Sequence, residues 1–237
     1  MGLPGWQIDG ALAALVVPAS RLEHEPRRQR LATGLGLLDA QLAGGWPAAA
    51  LSELTGRRST GRTSVLYASL AAAIGRGQTV ALVDAAGALD PRSAEAAGVV
   101  LSRLLWIRAA GRTILQAAEL LIAAGGFGVV AVDLGERPQR VPDAAWLRLR
   151  HAAERQGTAV LVTAPRRIVG AAAAAAVVMH GLRPRFVSAG RPLLAALETR
   201  ATVERMVGTS PPPANEQTLC FSVEPAVAAA TPPDQPR

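Results

Sequence analysis

The chain contains no lysine at all, one cysteine, one tyrosine and three histidines, and only 3% of its 237 residues are aromatic. Each scarcity excludes something. A single cysteine, Cys220, cannot form an internal disulfide and fits a reducing, cytoplasmic setting. With so few His and Cys, no cluster has the spacing of a metal site. No apolar run reaches the length needed to span a bilayer, so no membrane association is expected. The stretch Ala11–Ala19 is short and lacks a preceding basic flank, which argues against a signal peptide. Few aromatics in a chain that is 50% hydrophobic imply an aliphatic, alanine-rich core.

The absence of lysine makes arginine the carrier of all basic charge. A GC-rich coding bias accounts for such a composition. The net charge of +7 and a pI near 11.3 favour acidic partners, non-specific DNA among them. The arginines lie in small dispersed groups: Arg27, Arg28 and Arg30; Arg57, Arg58 and Arg62; Arg148, Arg150 and Arg155; Arg166 and Arg167; Arg183 and Arg185. Ordinary solvated surface explains most of them.

What is present is a periodic alternation. Short apolar runs, Ala50–Leu54, Thr79–Val83, Leu104–Ile107, Val129–Asp133 and Ala159–Thr163, predict strands. Thr63–Ile74, Ser93–Ala97, Thr113–Ala124 and Asp143–Gln156 predict the helices between them. Strands apolar on both faces belong in a parallel sheet covered on both sides, so the class is α/β. Further on, Val177–His180, Arg185–Ser188, Thr199–Val207 and Thr218–Val223 predict antiparallel edge strands, joined by turns containing Gly181, Pro184, Gly190 and Pro192. Pro211–Pro213 belongs to a loop. Three parts are expected: a segment 1–30, in which Ala11–Val17 is a candidate docking helix and Arg21–Arg30 a charged stretch; a core over 31–224; and a disordered tail over 225–237.

The most specific motif is Gly56-Arg-Arg-Ser59-Thr-Gly61-Arg62-Thr63, a phosphate-binding loop of pattern G-x-x-x-x-G-K-[ST] whose lysine is arginine. It sits between a predicted strand and a predicted helix. Backbone amides of such a loop cradle phosphates, the cation reaches the β/γ oxygens and the hydroxyl holds Mg²⁺. The candidate cofactor-binding residues are Gly56, Ser59, Gly61, Arg62, Thr63, Ser64 and Asp133, with ATP and Mg²⁺ as the implied cofactors. Arg62 keeps the charge of lysine, but its planar fork does not reproduce an ammonium point charge.

Several ordered segments resemble the RecA recombinase-type ATPases. Leu31-Ala-Thr-Gly34-Leu-Gly-Leu-Leu-Asp39 is similar to the family's S-T-G-x-x-x-L-D, Gly44-Gly45-Trp46-Pro47 to its G-G-L-P turn, and Leu51-Ser-Glu53-Leu54 to the strand entering its phosphate loop. Thr79–Pro91 resembles F-I-D-A-E-H-A-L-D-P, Val129–Asp133 the Walker B strand, and Glu198-Thr-Arg200-Ala-Thr-Val-Glu-Arg-Met a late S-E-T-R-V-K-V-V-K strand. The resemblance spans about residues 30–223 and implies a RecA-like core, a mostly parallel sheet covered by helices with antiparallel edge strands at its C-terminal end.

The departures from that pattern concern chemistry. Where the family places a water-polarising glutamate this chain has Ala86, and where it places a γ-phosphate-sensing glutamine it has Ala164. The DNA-binding loops are shortened to Leu134–Pro142 and to Arg166–Gly170 followed by an alanine run. In this combination the chain resembles the short bacterial ImuA-like relatives of RecA. That resemblance implies a non-catalytic adaptor in damage-induced translesion synthesis, working beside an inactive Y-family-like polymerase and an error-prone C-family polymerase, with DNA, self-association or RecA contact as further partners. Two alternatives stay open: a divergent DNA-dependent ATPase in which Glu53 or Glu136 polarises water, and a cell-division inhibitor of the SulA kind.

Overall fold

The computed structural model describes residues 29–137, 140–181, 183–189, 191–207 and 217–222. The candidate helix Ala11–Val17, most of the charged stretch Arg21–Arg30, the turn residue Gly190, the Pro211–Pro213 loop, Val223 and the tail from 225 lie outside the described residues.

A two-stranded antiparallel pair, β1 (Arg30–Leu31) with β2 (Trp46–Pro47), brackets the short helix α1 (Gly36–Gln41). The motif residues of this segment are structural. Asp39 accepts the Thr33 amide at 2.6 Å, and the buried Trp46 indole donates to Ser69 at 2.9 Å. Gly45 has φ 121, and a Cβ there would stand 2.0 Å from the Leu31 carbonyl oxygen, so only glycine lets the two strands meet.

The remaining elements build one nine-stranded sheet. In chain order they are β3 (Leu51–Gly56), α2 (Arg62–Gly75), β4 (Thr79–Asp84), α3 (Pro91–Ala96), β5 (Leu104–Arg108), α4 (Thr113–Ala124), β6 (Phe127–Asp133), α5 (Asp143–Gln156), β7 (Ala159–Ala164), β8 (Ala175–Met179), β9 (Arg183–Ala189), β10 (Arg191–Met206) and β11 (Gln217–Ser222). The order across the sheet is β11-β10-β8-β3-β7-β6-β4-β5, with β9 also paired to β10. Strands β8, β3, β7, β6, β4 and β5 run parallel, and β10 pairs antiparallel with β8, β9 and β11.

The lack of alternation in the strands has a direct cause. Val80, Leu82, Val129, Ala131 and Leu161 face α2, packing with Leu66, Tyr67 and Leu70. Their sequence neighbours Ala81, Val83, Val130, Val132 and Val160 face α4 and α5, packing with Ile122, Trp146 and Leu149. Both faces are covered, so both sets are apolar. Several expectations are corrected. Pro184 and Pro192, expected in turns, lie within β9 and β10, and the strand expected at Thr199–Val207 as an edge belongs to β10, flanked by β8 and β11. The strand expected at Val177–His180 as an antiparallel edge begins earlier, at Ala175, and is interior, parallel to β3 on one side and antiparallel to β10 on the other. The alanine run expected to extend the preceding loop instead contributes to a 3₁₀ turn, Gly170–Ala172, and to this strand.

Because β7 lies between β3 and β6, the C-terminal ends of β3, β7, β6 and β4 are adjacent. Thr55 pairs with Ala164, Thr163 with Asp133, and Asp133 with Asp84. Ligands of open α/β sheets bind outside such strand ends.

Candidate functional site

The segment Gly56–Thr63 is the β3-to-α2 turn. Gly61, at φ 83, starts the helix from the left-handed region, and Ser59 also has positive φ, 61. Gly56 is buried, and a Cβ there would stand 2.5 Å from Thr60 Oγ1 and 2.8 Å from Met179 Cβ, so the loop packs tightly on β8. Loop residues 57–63, with Ser64, Ala86, Asp133 and Glu136, line one cleft of about 550 Å³, while Gly56 lies beneath it. The structure therefore brings together Ser59, Gly61, Arg62, Thr63, Ser64 and Asp133 of the residues expected to meet a nucleotide, with Gly56 supporting the loop from below.

Within that cleft, Arg62 and Asp133 already have hydrogen-bond partners. The Arg62 guanidinium is almost fully buried and donates to the Gly56 carbonyl at 2.5 Å and to Glu136 Oε1 at 2.6 Å. The cation is folded back onto its own loop and neutralised by a carboxylate from the turn after β6. Asp133 Oδ1 accepts from the Thr163 hydroxyl at 2.7 Å and from the Gly135 amide at 3.0 Å. Asp84, buried at the end of β4, accepts from the Ala86 and Leu89 amides and the Trp106 indole at 2.9–3.2 Å. Ala86 lines the cleft with a methyl group, which can orient no water.

The sheet's antiparallel end clasps the loop from the other side. Thr199 Oγ1 on β10 lies 2.6 Å from the Thr60 carbonyl and 2.8 Å from that of His180, and a Cβ on Gly61 would stand 3.2 Å from the Phe221 ring of β11. Sequence reasoning recognised the Glu198–Arg200 motif as a strand but not that its threonine holds the phosphate loop.

The second shortened loop is pinned as well. Glu53, fully buried on β3, accepts the Ile168 amide at 2.5 Å and the Val169 amide at 3.0 Å, with Arg167 at 3.4 Å. Arg205 donates to the Ala173 carbonyl at 2.7 Å. Ala164 is wholly buried at the end of β7. Of the two carboxylates considered as water-polarising groups, Glu53 is thus held by the backbone of 168–169 and Glu136 by Arg62.

Asp133 and the hydroxyls of Thr63 and Ser64 are hard oxygen donors of the type Mg²⁺ takes, and the helix N-terminus favours an anion. These residues fit a magnesium–phosphate group. Arg62 fits it only after leaving Glu136. Among the described residues no cluster of His, Cys, Asp and Glu forms a separate metal site, and no helix is long and apolar enough to cross a membrane.

A parallel sheet with a glycine-rich strand-to-helix turn at its C-terminal edge defines an α/β scaffold of the phosphate-loop class. The family model described as the RecA N-terminal domain matches residues 18–139, just over half of the chain, and the chain belongs to that family. Protein RecA of Lactobacillus delbrueckii subsp. bulgaricus is 40% identical over 98 residues, 40% of this chain and 30% of that protein. Protein RecA of Lactobacillus acidophilus is 39% identical over 103 residues, 43% and 28% of the two chains, and that of Francisella tularensis subsp. novicida is 34% identical over 103 residues, 43% and 29%. The matched stretch is thus under a third of the length of these relatives. A crystal structure of the RadB recombinase superposes with TM-score 0.61 over 82% of this chain and 96% of that one, at 18% identity, a likeness of fold.

Proposed function

We propose that this RecA-family chain is an adaptor that does not turn over ATP and serves damage-induced mutagenic translesion DNA synthesis, in the manner of the ImuA-like proteins. Its partners on this reading are an inactive Y-family-like polymerase and an error-prone C-family polymerase, with non-specific DNA contact secondary. The observation that carries the reading is the Arg62 latch. The cation at the lysine position of the loop is bound to Gly56 and Glu136 and must leave Glu136 before it can meet a phosphoryl group. The methyl at Ala86, the buried Ala164 and the pinned turn at 166–169 support it, because the groups that would position water, sense the γ-phosphate and grip DNA are missing together.

The test is phosphate release by purified protein, with and without single-stranded DNA, beside the Asp133→Ala variant. The expected result is no release above the Asp133→Ala background. DNA-stimulated release that Asp133→Ala abolishes would establish the divergent ATPase instead. The polymerase partnership is tested by purification from damaged cells, where both polymerases should co-purify. Filamentation on overexpression without any change in mutation frequency would favour the cell-division inhibitor.

A further inference from the structure

Beside the phosphate-loop cleft lies a larger cavity of about 810 Å³, between the start of α4, the turn after β6 and the start of α5. Its floor is aliphatic, built from Ile114, Leu115, Leu134 and Val141. Its rim carries Arg58, Arg112, Arg137 and Arg140, contributed by three separate segments and all exposed. None of these four forms an ion pair among the described residues. The acidic groups at the cavity are already paired, Glu119 with Arg148 at 3.1 Å and Glu136 with Arg62 at 2.6 Å. The site therefore presents unneutralised guanidinium groups around an apolar floor.

We propose that this cavity binds a short acidic peptide segment of a partner protein, seating aliphatic side chains on the floor while carboxylates meet the rim arginines. The charge of the rim calls for an anionic ligand, and guanidinium forks suit carboxylates. The floor selects among anions. Among the described residues no aromatic side chain lines the cavity, so it lacks the aromatic platforms on which single-stranded bases commonly stack, whereas leucine-like side chains match the floor in size and polarity. The proposal deepens the adaptor reading, on which its biological use rests, by naming a face and a partner chemistry.

The experiment is fluorescence anisotropy of the full chain with a labelled peptide alternating Glu and Leu. A peptide with Ser for each Leu and an oligothymidylate of equal charge serve as comparators. The Glu/Leu peptide should bind most tightly. The Arg112→Glu/Arg140→Glu pair should weaken it at least about tenfold, and Leu115→Ser should weaken it without altering the salt dependence, with circular dichroism unchanged in both. Equal binding of the Glu/Ser peptide would reduce the effect to charge alone and overturn the proposal, as would indifference to the arginine reversals. Tighter binding of the oligothymidylate, lost in the same reversals, would make this a nucleic-acid site. Peptide binding by a chain that also hydrolyses ATP would sink the adaptor reading and leave this site standing. A chain that does neither would lose the site and keep the absence of turnover.

Discussion

Glu136→Gln separates the latch from its alternatives. The variant keeps the size of the side chain and an oxygen that can accept from Arg62, but removes the charge. At 2.6 Å the pair is close, yet the Glu136 side chain is 37% exposed against 9% for Arg62. Unit charges about 4 Å apart attract by roughly 1 kcal/mol in water and about 4 kcal/mol at a near-surface dielectric. Partial exposure and the ordering of two long side chains bring the net to about 1 kcal/mol. A nucleotide phosphate that uses Arg62 must first displace Glu136, so that amount enters its dissociation constant, about fivefold. Titration with a fluorescent ATP analogue and Mg²⁺ should therefore show Glu136→Gln binding about fivefold more tightly than the parent, with Tm shifted by no more than about 3 °C. Unchanged or weaker affinity, or no binding in either form, would refute a gate at Arg62. If instead Glu136 polarises water, the parent hydrolyses ATP and the variant loses about 10²–10⁴ in rate, an outcome the latch does not allow.

Further consequences follow from the buried polar contacts. Glu53→Ala removes the buried acceptor of the Ile168 and Val169 amides. That should cost about 3 kcal/mol and lower Tm by about 9 °C in thermal denaturation; a fall of only a degree or two would show that the turn is held by other contacts. Thr199→Val removes the hydroxyl beside the Thr60 carbonyl. It should cost about 1–2 kcal/mol and speed tryptic cleavage at the exposed Arg57 and Arg58, whereas an unchanged digestion rate would argue against a clasp on the loop. Tyr67, the chain's single tyrosine, has its phenol held above the ordinary value by burial. The nearby carboxylates of Asp90, Asp133 and Asp84 push the same way against an opposing hydrogen bond at the Asp90 backbone. A raised folded pKa contributes stability that is complete below the unfolded value and is lost as pH rises through the folded one. Tyrosinate absorbance should accordingly rise at higher pH in the native chain than in urea, and coincident steps would contradict this burial.

The scaffold was legible in the residues because its signals are local. Helices α4 and α5 fall at Thr113–Ala124 and Asp143–Gln156 as their patterns predict, each followed by a glycine at positive φ that ends it. Strand β8 was misread because Ala171–Ala176 has no periodicity, and alanine suits a turn and a crowded interior strand equally; only the pairing with β3 and β10 decides between them. The site divides in the same way. That Gly56–Thr63 is a phosphate loop can be read from eight consecutive residues, but the state of its cation depends on Glu136, 74 residues away, and its clasp on Thr199, 139 residues from Thr60. No local pattern carries such a contact. Arginine at position 62 is also what makes the latch possible: one planar fork reaches the Gly56 carbonyl with one nitrogen and Glu136 with another, while a lysine has a single nitrogen at the end of a shorter side chain. A substitution that on composition alone reads as coding bias in a lysine-free chain thus has a structural consequence, because it joins the turn after β6 to the phosphate loop.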